Sequence, residues 1–251
     1  MRSWVMILSV GQECSARTDW DLWGRRTVVR QEAYRLGSVD RDEGARGLFV
    51  VFEGGDGAGK TTQLDMLERR LRADGRTVER TREPGGTDIG ERIRSLVLDH
   101  GQGEVDPRTE ALLFAASRAA HVTQRILPAL ESGAVVLCDR FVDSSIAYQG
   151  VGRGLGADDV ARVNAWATQG LRPDLTVLLD VDHEVSAARR TSRGGAADRM
   201  ESADAAFHRR LREAFLDRAA EDPTRYLVVD ASGPADDIHA AVVDELREVW
   251  T

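Results

Sequence analysis

The run Gly54, Gly55, Asp56, Gly57, Ala58, Gly59, Lys60, Thr61, Thr62 constrains the fold of this chain more than any other segment. It fits the spacing G-x4-G-K-[ST]. It lies between an apolar stretch, Leu48 to Glu53, and a helical pattern of Leu64, Leu67 and Leu71 at three- and four-residue intervals. Strand, glycine loop and helix in that order form the context a phosphate-binding loop requires. Glycines let the backbone curl without side-chain obstruction, so successive N–H groups and the positive end of the following helix converge on a phosphate. Lys60 then supplies a mobile charge between the β- and γ-phosphates of ATP, and Thr61 a hydroxyl for Mg2+. A glycine-rich turn with a fortuitous lysine is the bland alternative, and it explains neither flank.

The same alternation continues to the C-terminus. Strands are expected over 77–82, 134–138, 175–180 and 226–230, and helices over 92–98, 107–131, 158–169, 203–220 and 234–250. Pro128 should bend the long third segment, because its ring removes a donor and crowds the preceding turn. About five parallel strands interleaved with helices give the α/β class, a three-layer sandwich.

Residues 48–251 therefore form the organised domain. Residues 1–47 read as a polar, irregular extension with scattered Trp20, Trp23 and Tyr34, either a dispensable arm or sequence upstream of the translation start, with an arm whose aromatics dock on the domain as the alternative. The formal net charge of -8 argues against a general nucleic-acid or anionic-membrane binder, since the long-range field repels a polyanion. With two cysteines and no long apolar run, a reducing, cytoplasmic location is the simpler expectation. Of 34 basic residues, Lys60 is the single lysine and the rest are arginine.

Other segments carry chemistry with less force. Arg82-Glu83-Pro-Gly-Gly-Thr87 follows the second strand, on the rim of the phosphate loop, and can carry Arg82 and Glu83 into a cleft or be a plain turn. Arg94 reaches either that cleft or solvent. Phe114 and Arg118, four apart on one helix face, offer a ring and a guanidinium fork to a nucleobase, although a core phenylalanine beside a surface arginine is as ordinary. Asp139, closing a buried strand, can hold Mg2+ through water, and Arg140 can neutralise phosphate charge; an ordinary ion pair is the competing view. Ser144, Tyr148 and Gln149 lead into G-V-G-R-G-L-G, read as a flexible stretch that wraps a ligand or as surface loop. Arg189, Arg190, Arg193 and Arg199, among small residues, form a cluster suited to a lid over polyphosphate at about 189–200, or a solvated charge run.

Taken together, F-E-G-G-D-G-A-G-K-T-T-Q, T-R-E-P-G-G-T, L-L-F-A-A-S-R, C-D-R-F-V-D-S-S-I-A-Y-Q-G and R-P-D-L-T-V-L-L-D resemble the thymidylate kinase family from Leu48 to about Trp250. The resemblance implies a three-layer sandwich of the P-loop nucleoside monophosphate kinase type and phosphoryl transfer from ATP to dTMP in a homodimer assembled through helices that include the one carrying Phe114. It implies that Asp56 contacts the acceptor sugar and that Arg94 and Arg140 hold the dTMP phosphate. Phe114 stacks on thymine, Arg118 bonds its edge, and Glu83, Ser144, Tyr148 and Gln149 complete the pocket. Gly57 stands where one branch of the family has a P-loop arginine, so the chain is similar to the bacterial-type branch, whose catalytic arginine comes from the lid. Arg193 is expected to serve, with Arg189 and Arg199 as alternatives, and the donor adenine packs near Ala231 to Pro234. Ser117, where an acid is common, and Phe141, where tyrosine is usual, depart from the pattern.

Two rivals remain at this stage. A kinase for another nucleoside monophosphate or a deoxynucleoside would differ in a few pocket contacts. A P-loop switch that transfers nothing would not need the Phe114–Arg118 and Tyr148–Gln149 segments.

Overall fold

The computed structural model describes residues 19–20, 26–27, 46–193 and 205–250; for 19–20, 26–27, 190–193 and 250 it is the backbone that is described. The chain divides into two compact units, Met1–Asp42 and Glu43–Thr251. In the first, β1 (Asp19–Trp20) and β2 (Arg26–Thr27) pair antiparallel.

The second unit is built on β3 (Phe49–Glu53), whose residues are all buried. Neighbours cover both its edges and helices cover both its faces, which is why a continuous apolar run suits it. β4 (Val78–Arg82), β5 (Val135–Asp139), β6 (Leu175–Asp180) and β7 (Tyr226–Asp230) complete a five-stranded sheet in the order β4-β5-β3-β6-β7, and each adjacent pair is parallel. The expected class holds. Alternation along β3 divides the core. Val50 and Phe52 pack with Leu64, Leu67, Ile238 and Val242 on one face, and Phe49 and Val51 with Val122, Ile126 and Phe141 on the other.

Helix α1 (Lys60–Ala73) starts directly at the glycine loop, where Gly59 at φ 104 offers no side chain to cap it. Its first N–H groups are left for an anion. α2 (Asp88–Leu98) begins earlier than the sequence pattern suggests, because Thr87 Oγ1 accepts from Gly90 N at 3.1 Å and caps it. α3 (Pro107–His121) is capped by Asp106, with Pro107 at the first turn where a missing N–H costs nothing. Between α3 and α4 (Leu127–Glu131) the chain widens into an i→i+5 turn over Val122–Ile126. That widening gives the Pro128 ring room that a regular helix would deny it.

After β5 come α5 (Val142–Ser145), a second i→i+5 turn over Ile146–Gly152, and α6 (Ala157–Ala167). α7 (His183–Arg193), α8 (Ala205–Glu221) and α9 (Ala235–Trp250) follow. The stretch Gly150–Gly156, read as a flexible ligand-wrapping or surface loop, needs correction in its first part: Gly150, Val151 and Gly152 close a wide helical turn over Ile146–Gly152, and only 153–156 form an open turn before α6. Two of its glycines answer to packing, since a Cβ on Gly152 would stand 2.7 Å from the Phe207 ring and one on Gly150 3.0 Å from Ala157 Cα. Among the described residues, no helix is long and apolar enough to cross a membrane.

Candidate active site

The register Phe52↔Asp139 brings the C-terminal ends of β3 and β5 side by side, so the glycine loop and Arg140 meet on one rim of the sheet. Gly54 has φ 125, and a Cβ there would lie 2.5 Å from Leu179 O; only glycine lets the loop leave β3 this close to β6. A Cβ on Gly55 or Gly59 would meet nothing within 4 Å, which leaves the hollow of the loop open. Lys60, 7% exposed, donates from Nζ to Gly54 O at 3.0 Å and Gly55 O at 2.9 Å. Burial and the nearby Arg140 pull its affinity for the proton below the ordinary lysine value. Thr61 and Thr62 are exposed at the helix start.

Arg140 takes the left-handed region at φ 68, uncommon for a residue with a Cβ. Its guanidinium turns back over the loop, donates to Gly54 O at 3.1 Å and Ser144 Oγ at 3.0 Å, pairs with Asp56, and lies 5.4 Å from the Tyr148 ring centre. Tyr148 donates its hydroxyl to Asp56 Oδ2 at 2.9 Å. Burial opposes charge on Asp56, but Arg140, Lys60 and the Tyr148 hydroxyl outweigh it and hold the carboxyl well below its ordinary range. Asp139, beside them, keeps a buried Oδ1 with no hydrogen-bond partner.

Beneath Arg140 lies Glu53, a residue the motifs do not single out. It is 1% exposed and accepts from Phe141 N at 2.8 Å, Ser144 N at 3.2 Å and Ser144 Oγ at 2.7 Å. Burial first, then the charge of Asp143, push its carboxyl up to about 7. A carboxylate ending an otherwise apolar strand is the signal that could have marked it.

Arg94 donates to Pro84 O at 2.9 Å, across a loop that contains the cis Glu83–Pro84 peptide. Arg82 turns outward to pair with Glu91 at 2.9 Å, rather than entering the cleft. Glu83, expected in the pocket wall, is instead 5% exposed beneath it, bonded to Arg118 Nε at 2.6 Å and His121 Nδ1 at 2.9 Å. Arg118 is 2% exposed and also donates to Ser145 Oγ at 3.0 Å, Phe141 O at 2.9 Å and Asn164 Oδ1. The reading of a surface arginine beside a core phenylalanine is inverted, for Phe114 is half-buried and the arginine is the core residue. Ser117 Oγ accepts from Gly85 N at 3.2 Å, a bond that ties α3 to the same loop. Gln149, 1% exposed, donates to Glu110 Oε1 at 3.0 Å.

On the other flank of the loop, a cavity of about 280 Å³ is lined by Gly54, Asp56, Asp180, His183, His208 and Arg212. Arg212 closes it by donating to both Asp180 oxygens at 2.6 and 2.8 Å. Arg189 lies on α7 and donates to Ala231 O at 2.8 Å and Ser232 O at 3.3 Å. Arg193 ends α7, so the first half of the arginine cluster is helical. Arg199 and the remainder of the expected lid lie outside the described residues.

The family model described as thymidylate kinase matches residues 52–242, most of the chain. The chain belongs to the thymidylate kinase family. Its reaction is that of the family, ATP-dependent phosphorylation of dTMP to dTDP. It is 55% identical over 196 residues to a thymidylate kinase of Leifsonia xyli subsp. xyli, covering 78% of this chain and 92% of that one. A thymidylate kinase of Deinococcus radiodurans is 52% identical over 198 residues, 79% of this chain and 95% of the relative. The crystal structure of thymidylate kinase from Ehrlichia chaffeensis superposes with a TM-score of 0.66 at 33% identity, over 80% of this kinase and 99% of that chain.

Proposed function

We propose that ATP lies on the Gly54–Thr62 loop and dTMP between Arg140 and α3, and that transfer proceeds by alignment and charge neutralisation. The observation that carries this reading is the Asp56–Arg140–Tyr148 cluster built against the loop that holds Lys60. An oxygen of the dTMP 5'-phosphate forms the new bond to the γ-phosphorus as the bond to the β-phosphate oxygen breaks. That nucleophile is already anionic and needs no general base. Lys60 meets the transferring group; Arg140 and Arg94 hold the acceptor phosphate, and Asp56 the sugar hydroxyl. Phe114 stacks on thymine and Arg118 donates to its edge, with Ser144, Tyr148, Gln149 and Glu83 holding the pocket from behind. Arg193 supplies the lid charge, with Arg199 its alternative, and Arg189 borders the donor adenine near Ala231.

The orphaned Oδ1 of Asp139 beside Lys60 suits a hydrated cation, and Thr61 brings a hydroxyl to the same end of the loop. Those two residues would hold Mg2+, which neutralises phosphate charge when bound.

A homodimer is the assembly that best accounts for the face of α3 and α6, where Leu112 is 59% and Trp166 85% exposed, beside Val163. Sedimentation should give a dimer, and Trp166→Asp a monomer. A cytoplasmic location and a dispensable segment 1–47 complete the proposal. ADP release measured with dTMP, dUMP, dCMP, dGMP and no acceptor tests its centre. Preference for dCMP or dGMP over dTMP would overturn the acceptor assignment.

A further inference from the structure

His121 belongs to none of the motifs above, and yet it stands at the meeting point of the acceptor-side elements. It is 0% exposed at the end of α3. Its Nδ1 lies 2.9 Å from Glu83 Oε1 and its Nε2 2.6 Å from Thr81 Oγ1. A carboxylate oxygen can only accept, so the imidazole donates from Nδ1, while Nε2 is hydrogen-bonded to the Thr81 hydroxyl. The ring also fills the space against Gly86, where a Cβ would come within 2.6 Å of His121 Cδ2 and 2.7 Å of Thr81 Oγ1. One side chain thus joins β4, the loop after it and α3.

The other oxygen of Glu83 holds Arg118 Nε at 2.6 Å. Ser145, Asn164 and Phe141 take three further N–H groups of that guanidinium. A guanidinium carries five N–H donors, so one, on Nη2, is left. With the fork clamped on its other sides, that last donor points where Glu83 orients the plane.

We infer that His121 is a positioning residue for base selection. By donating to Glu83 it fixes the carboxylate that orients Arg118, and so aims the remaining guanidinium N–H at the acceptor base. The inference rests on the placement of thymine beside Phe114 and Arg118 proposed above. Thymine presents a carbonyl acceptor, O4, where cytosine presents an amino donor. A well-aimed N–H therefore rewards dTMP and rejects dCMP, which cannot accept it.

Two amides separate the two ends of the imidazole. His121→Asn keeps a donor near the Nδ1 position; His121→Gln reaches the Nε2 position and abandons Glu83. Steady-state kinetics with saturating ATP should show a dTMP KM within about twofold of the parent for His121→Asn. For His121→Gln, KM should rise about tenfold and the kcat/KM preference for dTMP over dCMP fall by a similar factor, the effect of one lost hydrogen bond. The ATP KM should stay unchanged in both. Glu83→Asp, which shortens the same link from its other side, should lose selectivity too and serves if the glutamine variant does not fold. A role in packing alone would move the Asn and Gln variants together and raise the ATP KM with them, and that result overturns the inference. Phe114→Ala, which leaves the His121–Glu83–Arg118 hydrogen bonds in place, tests the base site separately. An unchanged dTMP KM there removes the site and the inference with it. A raised KM there, with indistinguishable His121 amides, overturns the inference and leaves the base site standing.

Discussion

The Tyr148 hydroxyl donates to Asp56 Oδ2 at 2.9 Å, so a residue of the wide turn after α5 fixes the carboxylate of the glycine loop. Tyr148→Phe keeps the ring under Arg140 and removes only this bond. A severalfold rise in dTMP KM is expected, about what one charge-assisted hydrogen bond contributes. An unaltered KM would mean that Arg140 alone suffices to hold Asp56 in place.

Lys60 lies against two loop carbonyls, where a compact ammonium fits. Lys60→Ala should lower kcat at least about 100-fold while dTMP binding changes little, since the lost contact is with the transferring group. Lys60→Arg should not restore turnover, because a planar fork cannot occupy the same closed loop. Rapid-quench turnover beside equilibrium dTMP titration checks both, and near-parental kcat in the arginine variant would refute the geometric restriction.

Glu53 gives a pH dependence with a definite sign. The unfolded chain releases this proton near 4.5 and the folded protein retains it up to about 7. The native state therefore binds the additional proton across that window, and the contribution of Glu53 to stability falls as pH rises from 4.5 to about 7, then levels off. Glu53→Gln should remove this slope. Denaturant midpoints of both proteins between pH 4.5 and 8 test it, and parallel curves would contradict it.

The lid arginines should divide by step. Arg189 reaches the backbone carbonyls of Ala231 and Ser232, so Arg189→Ala should raise the ATP KM. Arg193→Ala should instead lower kcat by roughly 10- to 1,000-fold with dTMP affinity preserved, as expected for one charge that acts chiefly in the transition state. Normal turnover in Arg193→Ala together with a kcat defect at Arg199 would reassign the role; normal turnover in all three single variants and the triple variant would end the lid-arginine mechanism.

A chain starting at Asp40 should fold with the parental melting midpoint and kcat, because every acceptor and donor motif follows it. Insoluble expression or a large loss of kcat would show that the first residues support the catalytic unit.

The sequence made the sheet legible because its buried strands are short apolar runs between turn residues, and β6 and β7 coincide with their expected spans. The start of α2 was harder to read: Asp88, Ile89 and Gly90 carry little helical pattern, and the cap that begins the helix is a single threonine hydroxyl. In the site, local spacing brings out the glycine loop and the Phe114–Arg118 pair. Spacing cannot show that Arg118 is enclosed by acceptors from 23 to 46 positions away, nor that Glu83 turns inward to meet it. Long-range complementarity of donors and acceptors becomes visible only after the strands are in register. His121 escaped for the same reason, since it is an unremarkable residue in its own window, whereas Glu53 carried a local signal in ending an apolar strand.

Lys60 is the only side-chain amine in the sequence, and it is shielded inside the nucleotide loop. An amine-directed acylating reagent would therefore have a single side-chain target, and its incorporation, counted by intact mass, becomes a direct occupancy gauge. Bound triphosphate should protect the protein from modification, and the concentration that halves labelling would report nucleotide affinity without any turnover.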